Sequence, residues 1–265
     1  MSPLERTLAG FTCAVAIALA ARRARMLSRS GAWGAVVTGS LAAAAGWAWC
    51  ALLLAFFLSS SLLSAWRRKR KAHRTRAIVA KGGERDLAQV IANGGVFAIA
   101  AAGAVVTHAD AWLALGAGAL ASAAADTWAT EIGTGGEHTP RLVGSWRAVP
   151  PGTSGAVSVP GTIGLLAGAM FMGLVAFQFG LTASLAAAVV AGGVAGAMVD
   201  TLIGATIQER RWCAHCAVPT ERRVHTCGAT TTVRGGVPGL TNDAVNLTSC
   251  LVGGIVAVWW ARAAG

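Results

Sequence analysis

The stretch PGTIGLLAGAMFMGLVAFQFGLTASLAAAVVAGGVAGAMV, residues 160–199, runs 40 residues without a charged side chain. As one α-helix it would be about 60 Å long, twice the roughly 30 Å of hydrocarbon in a bilayer. About 20 apolar residues suffice for one crossing. The stretch is therefore two spans with a turn near residues 178–180. Residues 31–66, another 36 without charge, divide the same way near Gly46. Residues 8–21, 87–106, 111–125 and 246–260 supply one span each. The expected fold is an all-α polytopic membrane helix bundle of about eight spans, seven if residues 8–21 do not cross.

Composition agrees. Of 265 residues, 55% are hydrophobic and 12% charged, with a mean hydropathy of +0.59. A soluble domain carries about 25% charged residues, so there is too little polar sequence here to coat a globule. A disordered chain would need low hydrophobicity. The net charge of +11 would suggest nucleic acid in a soluble protein, but its distribution points elsewhere. Twenty of the 22 Lys and Arg fall in residues 22–30, 66–86, 127–159 and 207–242, and the three intervening turns hold none. Basic loops stay cytoplasmic. The reading is one integral domain over residues 1–265 in the cell membrane, with those four loops cytoplasmic and both termini outside. The run Arg67–Lys71 is then a topology signal that also meets anionic lipid, and no nucleic-acid partner is expected. Residues 8–21 also resemble a cleaved signal peptide ending in Ala18-Leu19-Ala20, although Arg22, Arg23 and Arg25 immediately after it oppose export.

The halves share short echoes. Ser30-Gly31-Ala32 matches Ser154-Gly155-Ala156, and Asp86-Leu87-Ala88-Gln89 resembles Asp243-Ala244-Val245-Asn246. An offset of four spans preserves orientation, so a parallel internal repeat is a possible organisation.

Polar groups gather at the cytoplasmic ends of the later spans. Ser122, Asp126 and Thr130 share one helical face. Asp200 lies in a run of Gly192, Gly196 and Gly204, whose small size lets a neighbouring helix approach. A carboxylate within a span is costly and is a functional candidate by default. Asp243, after Asn242, has the alternative of a first-turn helix acid. Between them, Gly152-Thr153-Ser154-Gly155 offers amides and hydroxyls suited to phosphate, or is a plain re-entrant turn. Arg141 and Arg147 could add charge-assisted contacts. Two or three carboxylates can hold Mg²⁺, which takes its other ligands from phosphates and water. Phosphoryl transfer needs positioning and charge neutralisation above all. The expected Mg²⁺ and donor-phosphate ligands are Asp126, Asp200 and Asp243, helped by Glu131 and Asn242. Thr153, Ser154 and Gly155 would cradle phosphate, with Arg147 neutralising charge. In the last basic loop, Cys213-Ala214-His215-Cys216 followed by His225-Thr226-Cys227 resembles a zinc knuckle, with the second pair closer together than most zinc ribbons use. The alternative is a set of reduced thiols, a disulfide being disfavoured on that face.

The motifs 124-AADTWATEIG-133, 152-GTSGAVS-158, 200-DTLIGA-205 and 240-LTNDAVN-246, with 56-FFLSSS-61 and the basic run after it, resemble the integral membrane family catalogued as domain of unknown function ninety-two. That family includes chloroplast phytyl-phosphate kinase and transmembrane protein nineteen. The resemblance implies phosphorylation of an isoprenyl (phytyl or geranylgeranyl-type) monophosphate to the diphosphate by a nucleoside triphosphate, CTP by preference. The Asp-Thr-x-Ala element with its Gly-rich loop is more loosely similar to CTP-dependent polyprenol kinases, whose lysine near the loop is absent here. Two other functions fit the residues: a transporter or lipid flippase using Asp200, and an assembly protein docking through the Cys/His loop. The sequence names no protein partner.

Overall fold

Gly46 and Gly180 sit at the two breaks. Their φ values of +131° and +97° lie where a side chain would be strained and glycine is not. The computed structural model describes residues 3–75, 78–80, 83–136 and 138–263, with side chains outside 3–6 and 67–75. Gly46 separates α2 (Arg29–Ala45) from α3 (Trp47–Thr75), and Gly180 separates α6 (Val159–Gln178) from α7 (Ala183–Thr206). The other helices are α1 (Pro3–Arg23), α4 (Leu87–Thr107), α5 (Ala111–Thr134) and α8 (Asn242–Ala263). Local chemistry starts several of them. Ser28, Ser158 and Thr182 cap α2, α6 and α7, and Asp86 with Gln89 closes a capping box on α4, satisfying amides that have no partner within the helix.

Among the described residues, five helices are long and apolar enough to cross a membrane: α4, α6, α7, α8 and the Trp47–Trp66 part of α3. The other three expected spans form helices below that standard. For α5 the reason is its place. It packs against α3, α4, α6, α7 and α8, and Ala117, Ala119, Leu120, Ala121 and Ala124 are fully buried. A helix wrapped by other helices meets little lipid, so it can trade hydropathy for small residues that permit close packing. Gly118 of α5, Gly192 of α7 and Gly253 of α8 meet backbone to backbone. A Cβ on Gly253 would lie 2.9 Å from the Gly192 carbonyl oxygen and 3.0 Å from that of Gly118.

α3 continues through residues 67–75 and α5 through 127–134, inside regions expected to be loops, because neither segment contains proline and polar residues extend a helix beyond the membrane without breaking it. The side chains of Arg67, Arg68, Lys69, Arg70, Lys71 and Arg74, and all of Arg76 and Lys81, lie outside the described residues. The remaining loops carry two small antiparallel sheets. β1 (Arg141–Leu142) pairs with β2 (Ala156–Val157), and β3 (Arg210–Cys213) lies between β4 (Val218–Thr220) and β5 (Thr232–Gly235). The two halves pack differently: α2 contacts α1, α3 and α4, whereas the second half is organised around α5. The packing thus lends the repeat no support. Trp33, Trp47, Trp66 and Trp259 are exposed, as interfacial residues would be. Trp49 is instead buried against Phe97, and Trp128 stacks on Phe171 at 5.4 Å.

Candidate functional site

A cavity of about 570 Å³ opens where the ends of α3, α5 and α7 meet the starts of α4, α6 and α8. Asp126 is carried by α5 and Asp200 by α7, close enough for each to feel the other's charge. The convergence follows from packing on small residues. A Cβ on Gly196, one turn before Asp200, would strike the Ser122 hydroxyl of α5 and lie 2.6 Å from the Ser249 carbonyl of α8. Ser122, one turn before Asp126, itself approaches Ser249 Oγ at 3.4 Å. The face shared by Ser122, Asp126 and Thr130 therefore divides: Ser122 packs below the cavity, and the other two line it.

The Gly-Thr-Ser-Gly loop forms the adjoining wall. Gly155, at φ +74°, lies so close to α7 that a Cβ would collide with the backbone nitrogen of Ala205. A Cβ on Gly204 would come 2.7 Å from the Gly155 nitrogen. Thr153 Oγ1 donates to the Pro150 carbonyl at 2.7 Å, and Ser154 Oγ donates to Glu221 while accepting from Gln208 Nε2 at 3.0 Å. These hydroxyls fix the loop's shape rather than standing idle. Glu131, at 6% exposure, is also on the wall and accepts from Ser64 Oγ at 2.9 Å. Asn242 lines the cavity too.

Three expected residues do not. Arg141 donates to the Trp146 carbonyl in its own hairpin at 2.7 Å, and Arg147 is exposed outside the cavity. Asp243 occupies the first turn of α8, where Asn242 and Asn246 present the lining face, and its charge acts on Glu221. Among the described residues, the arginines that do line the cavity are Arg85 and Arg222. Arg85 is held by backbone bonds to Met26 and Ser28, of 2.9 and 3.0 Å, and donates to Ser61 Oγ at 2.8 Å. Gly31 makes room for the Arg85 carbonyl. Burial lowers the Arg85 pKa from its ordinary value, opposed by the charge of Glu131. Glu221 is a further addition. Burial raises its carboxyl pKa and the Asp243 charge adds to that, against hydrogen bonds from Ser154, Ala80 and Gln208.

Among the described residues, four carboxylate side chains and two arginines thus line the cavity, a set with more acids than bases that suits a divalent cation. The buried Asp200 Oδ2 and Asn246 Oδ1 have no hydrogen-bond donor among the described residues. Acceptor oxygens in that condition match the all-oxygen ligation Mg²⁺ prefers. In the connection after α7, Glu209 accepts from Gly239 N–H at 2.7 Å and from the Arg211 guanidinium at 2.6 Å. These contacts hold its carboxyl below the usual range. The stability it contributes is present above the ordinary carboxylate pKa and lost as pH falls through the depressed one. Acidification below about pH 4 is expected to lower the protection factor of the Gly239 amide, measured against the intrinsic exchange rate at each pH, with Glu209→Gln abolishing that change.

The cavity borders a second, narrower one of about 100 Å³ between α1, α2, α3 and α4, walled by Ile17, Leu53, Phe56, Phe57 and Val90. Arg85, Gln89 and Asn93 belong to both. Gln89 and Asn93, polar residues one turn apart in an otherwise apolar span, were the signal available in the sequence.

The family described as Integral membrane protein DUF92 matches residues 12–254. The chain is 29% identical to Protein PGR of Arabidopsis thaliana, covering 95% of this chain and 94% of that protein. It is 28% identical to the uncharacterized membrane protein MJ0933 of Methanocaldococcus jannaschii, covering 97% and 95%. No solved structure gives a significant match.

Proposed function

The chain belongs to the DUF92 integral membrane family, and on that premise we propose that it phosphorylates an isoprenyl monophosphate to the diphosphate, using a nucleoside triphosphate, CTP by preference, and Mg²⁺ at the cytoplasmic membrane face. The observation carrying this reading is that a carboxylate-rich cavity and an apolar one share the lining residues Arg85, Gln89 and Asn93. An amphiphile with a phosphate head and a branched hydrocarbon tail has the matching polarity. Its head meets the Arg85 guanidinium, its first isoprene units lie against Phe56, Phe57 and Val90, and the rest of the tail continues into lipid.

Asp126 and Asp200 would hold the cation, with Asn246 beside them. Mg²⁺ bound there would offset the charge of the donor phosphates. Arg85 and Arg222 neutralise the phosphates that meet between them. An acceptor phosphate oxygen attacks the donor's terminal phosphorus. The bond from that phosphorus to the bridging oxygen breaks, and the nucleoside diphosphate leaves. The attacking oxygen is already ionised at neutral pH, so the site needs no general base.

Purified protein in detergent, given CTP or ATP with phytyl or geranylgeranyl phosphate, is expected to form the diphosphate. Arg85→Ala should raise KM for the prenyl phosphate by about 10- to 100-fold, with a smaller change in nucleotide KM. Equal, background-level product from the wild type and an Asp200→Asn variant would discard the kinase reading. Asp200-dependent lipid movement in proteoliposomes without nucleotide turnover would replace it with a flippase.

A further inference from the structure

The connection from α7 to α8, residues 207–241, folds without an apolar core. Its buried side chains are Gln208, Glu209, Cys213, Thr220, His225 and Thr231, whereas Val224, Val233 and Val237 are exposed. A segment this short with so little apolar surface to bury usually needs a covalent or metal staple. Cys213, Cys216 and Cys227 are free thiols, so the staple is not a disulfide. Their sulfurs and a His225 ring nitrogen all lie within 4.8 Å of one another.

The backbone explains how they meet. Cys213 ends β3 opposite Val218 of β4, so residues 214–217 form a tight turn that brings Cys216 back beside it, with Ala217 at φ +55°. A second turn faces the first. Val224 bridges Thr230, His225 N–H donates to the Ala229 carbonyl at 2.9 Å, and Gly228 N–H donates to the His225 carbonyl at 2.9 Å. Cys213 Sγ and Cys227 Sγ are 3.7 Å apart, too far for a bond. Two thiolates on a tetrahedral Zn²⁺ at about 2.3 Å would be separated by about 3.8 Å. His225 Nδ1 lies 3.2 Å from Cys227 Sγ. Two turns, each supplying two soft ligands, match the donor set and spacing of a closed structural zinc site.

We propose that Cys213, Cys216, His225 and Cys227 bind one structural Zn²⁺, and that this ion holds the β3–β4–β5 sheet in the position that delivers Glu221 and Arg222 to the cavity. The path is short. β4 ends at Thr220, and the Glu221 N–H donates to the Ile78 carbonyl at 2.8 Å. The Glu221 carboxylate then accepts from Ser154 of the Gly-rich loop. Metal ligation and folding of this connection are one equilibrium. The site stands on its own ligands and does not depend on the reaction assigned to the cavity.

Full-length protein purified without chelator from zinc-supplemented cells is expected to carry about one zinc per chain by plasma mass spectrometry. Cys213→Ser and Cys227→Ser should each lower that at least about tenfold, while Cys13→Ser, in α1, leaves it unchanged. Cobalt exchanged into the wild type should show thiolate charge-transfer bands and intense tetrahedral d–d absorption, a readout that needs no variant to fold. Stripping the metal should accelerate hydrogen exchange across residues 208–235 while α5 and α6 stay protected. Wild-type protein without zinc or a thiolate–cobalt spectrum, or with a Cys213–Cys227 disulfide by mass spectrometry, would overturn the site. Metal loss with unchanged exchange at 218–222 would overturn its link to the cavity.

Discussion

Asp200→Asn is expected to reduce prenyl-phosphate phosphorylation by about 10²- to 10³-fold while leaving the melting temperature of the detergent-solubilised protein nearly unchanged. The two halves of this expectation have one cause. Asp200 Oδ2 is buried with no hydrogen-bond donor among the described residues, so the fold loses no contact to that oxygen when an amide replaces it. A buried carboxylate oxygen without a donor is an expense without structural return; a cation between it and Asp126 would compensate it. Asparagine keeps the shape and removes the charge. The double variant with Asp126→Asn should be little worse than either single one, because both act on one cation and such effects are not additive. Magnesium titrations should show the Asp200→Asn variant demanding more metal. Wild-type turnover from a well-folded Asp200→Asn protein would remove Asp200 from the chemistry.

Gly155→Ala is expected to destabilise the protein by about 3 kcal/mol and to abolish activity together with it. Two costs coincide at this position. The backbone is left-handed, at φ +74°, and the added methyl would run into the Ala205 backbone of α7. Neither neighbour has a flexible side chain that could yield, since the contact is between main chains. Relief would require lifting the 152–155 loop away from α7, carrying Ser154 off Glu221 and opening the wall opposite Asp200. Scanning calorimetry and the phosphorylation assay on the same preparation test this. A nearby control, Thr153→Ala, loses one hydrogen bond to Pro150 and should cost about 1 kcal/mol. If Gly155→Ala proves as mild as that control, the close packing of loop on helix is wrong.

The helices and their breaks were legible along the chain because both answer to local quantities. The length of an apolar run compares directly with the thickness of a bilayer, and Gly46 and Gly180 mark where only glycine turns without strain. The candidacy of Asp126 and Asp200 was legible for a related reason, since a carboxylate in an apolar stretch needs an explanation wherever it points. Which arginines meet the cavity was not. In a basic loop every Arg serves the membrane topology equally, so Arg85 and Arg147 look alike in sequence. Arg85 alone is strapped between Met26 and Ser28, and Arg147 turns away. Glu221 was hidden between the Cys and His pairs of the last loop, and its aim depends on a bond to Ile78, far off in the chain. The centrality of α5 was likewise invisible, since an Ala-rich helix reads as a weak span until five neighbours are seen around it. Periodicity, length and composition act within a few turns and can be read directly. The aim of a side chain at the end of an irregular loop is set by contacts between distant segments, and only the packed tertiary structure decides it.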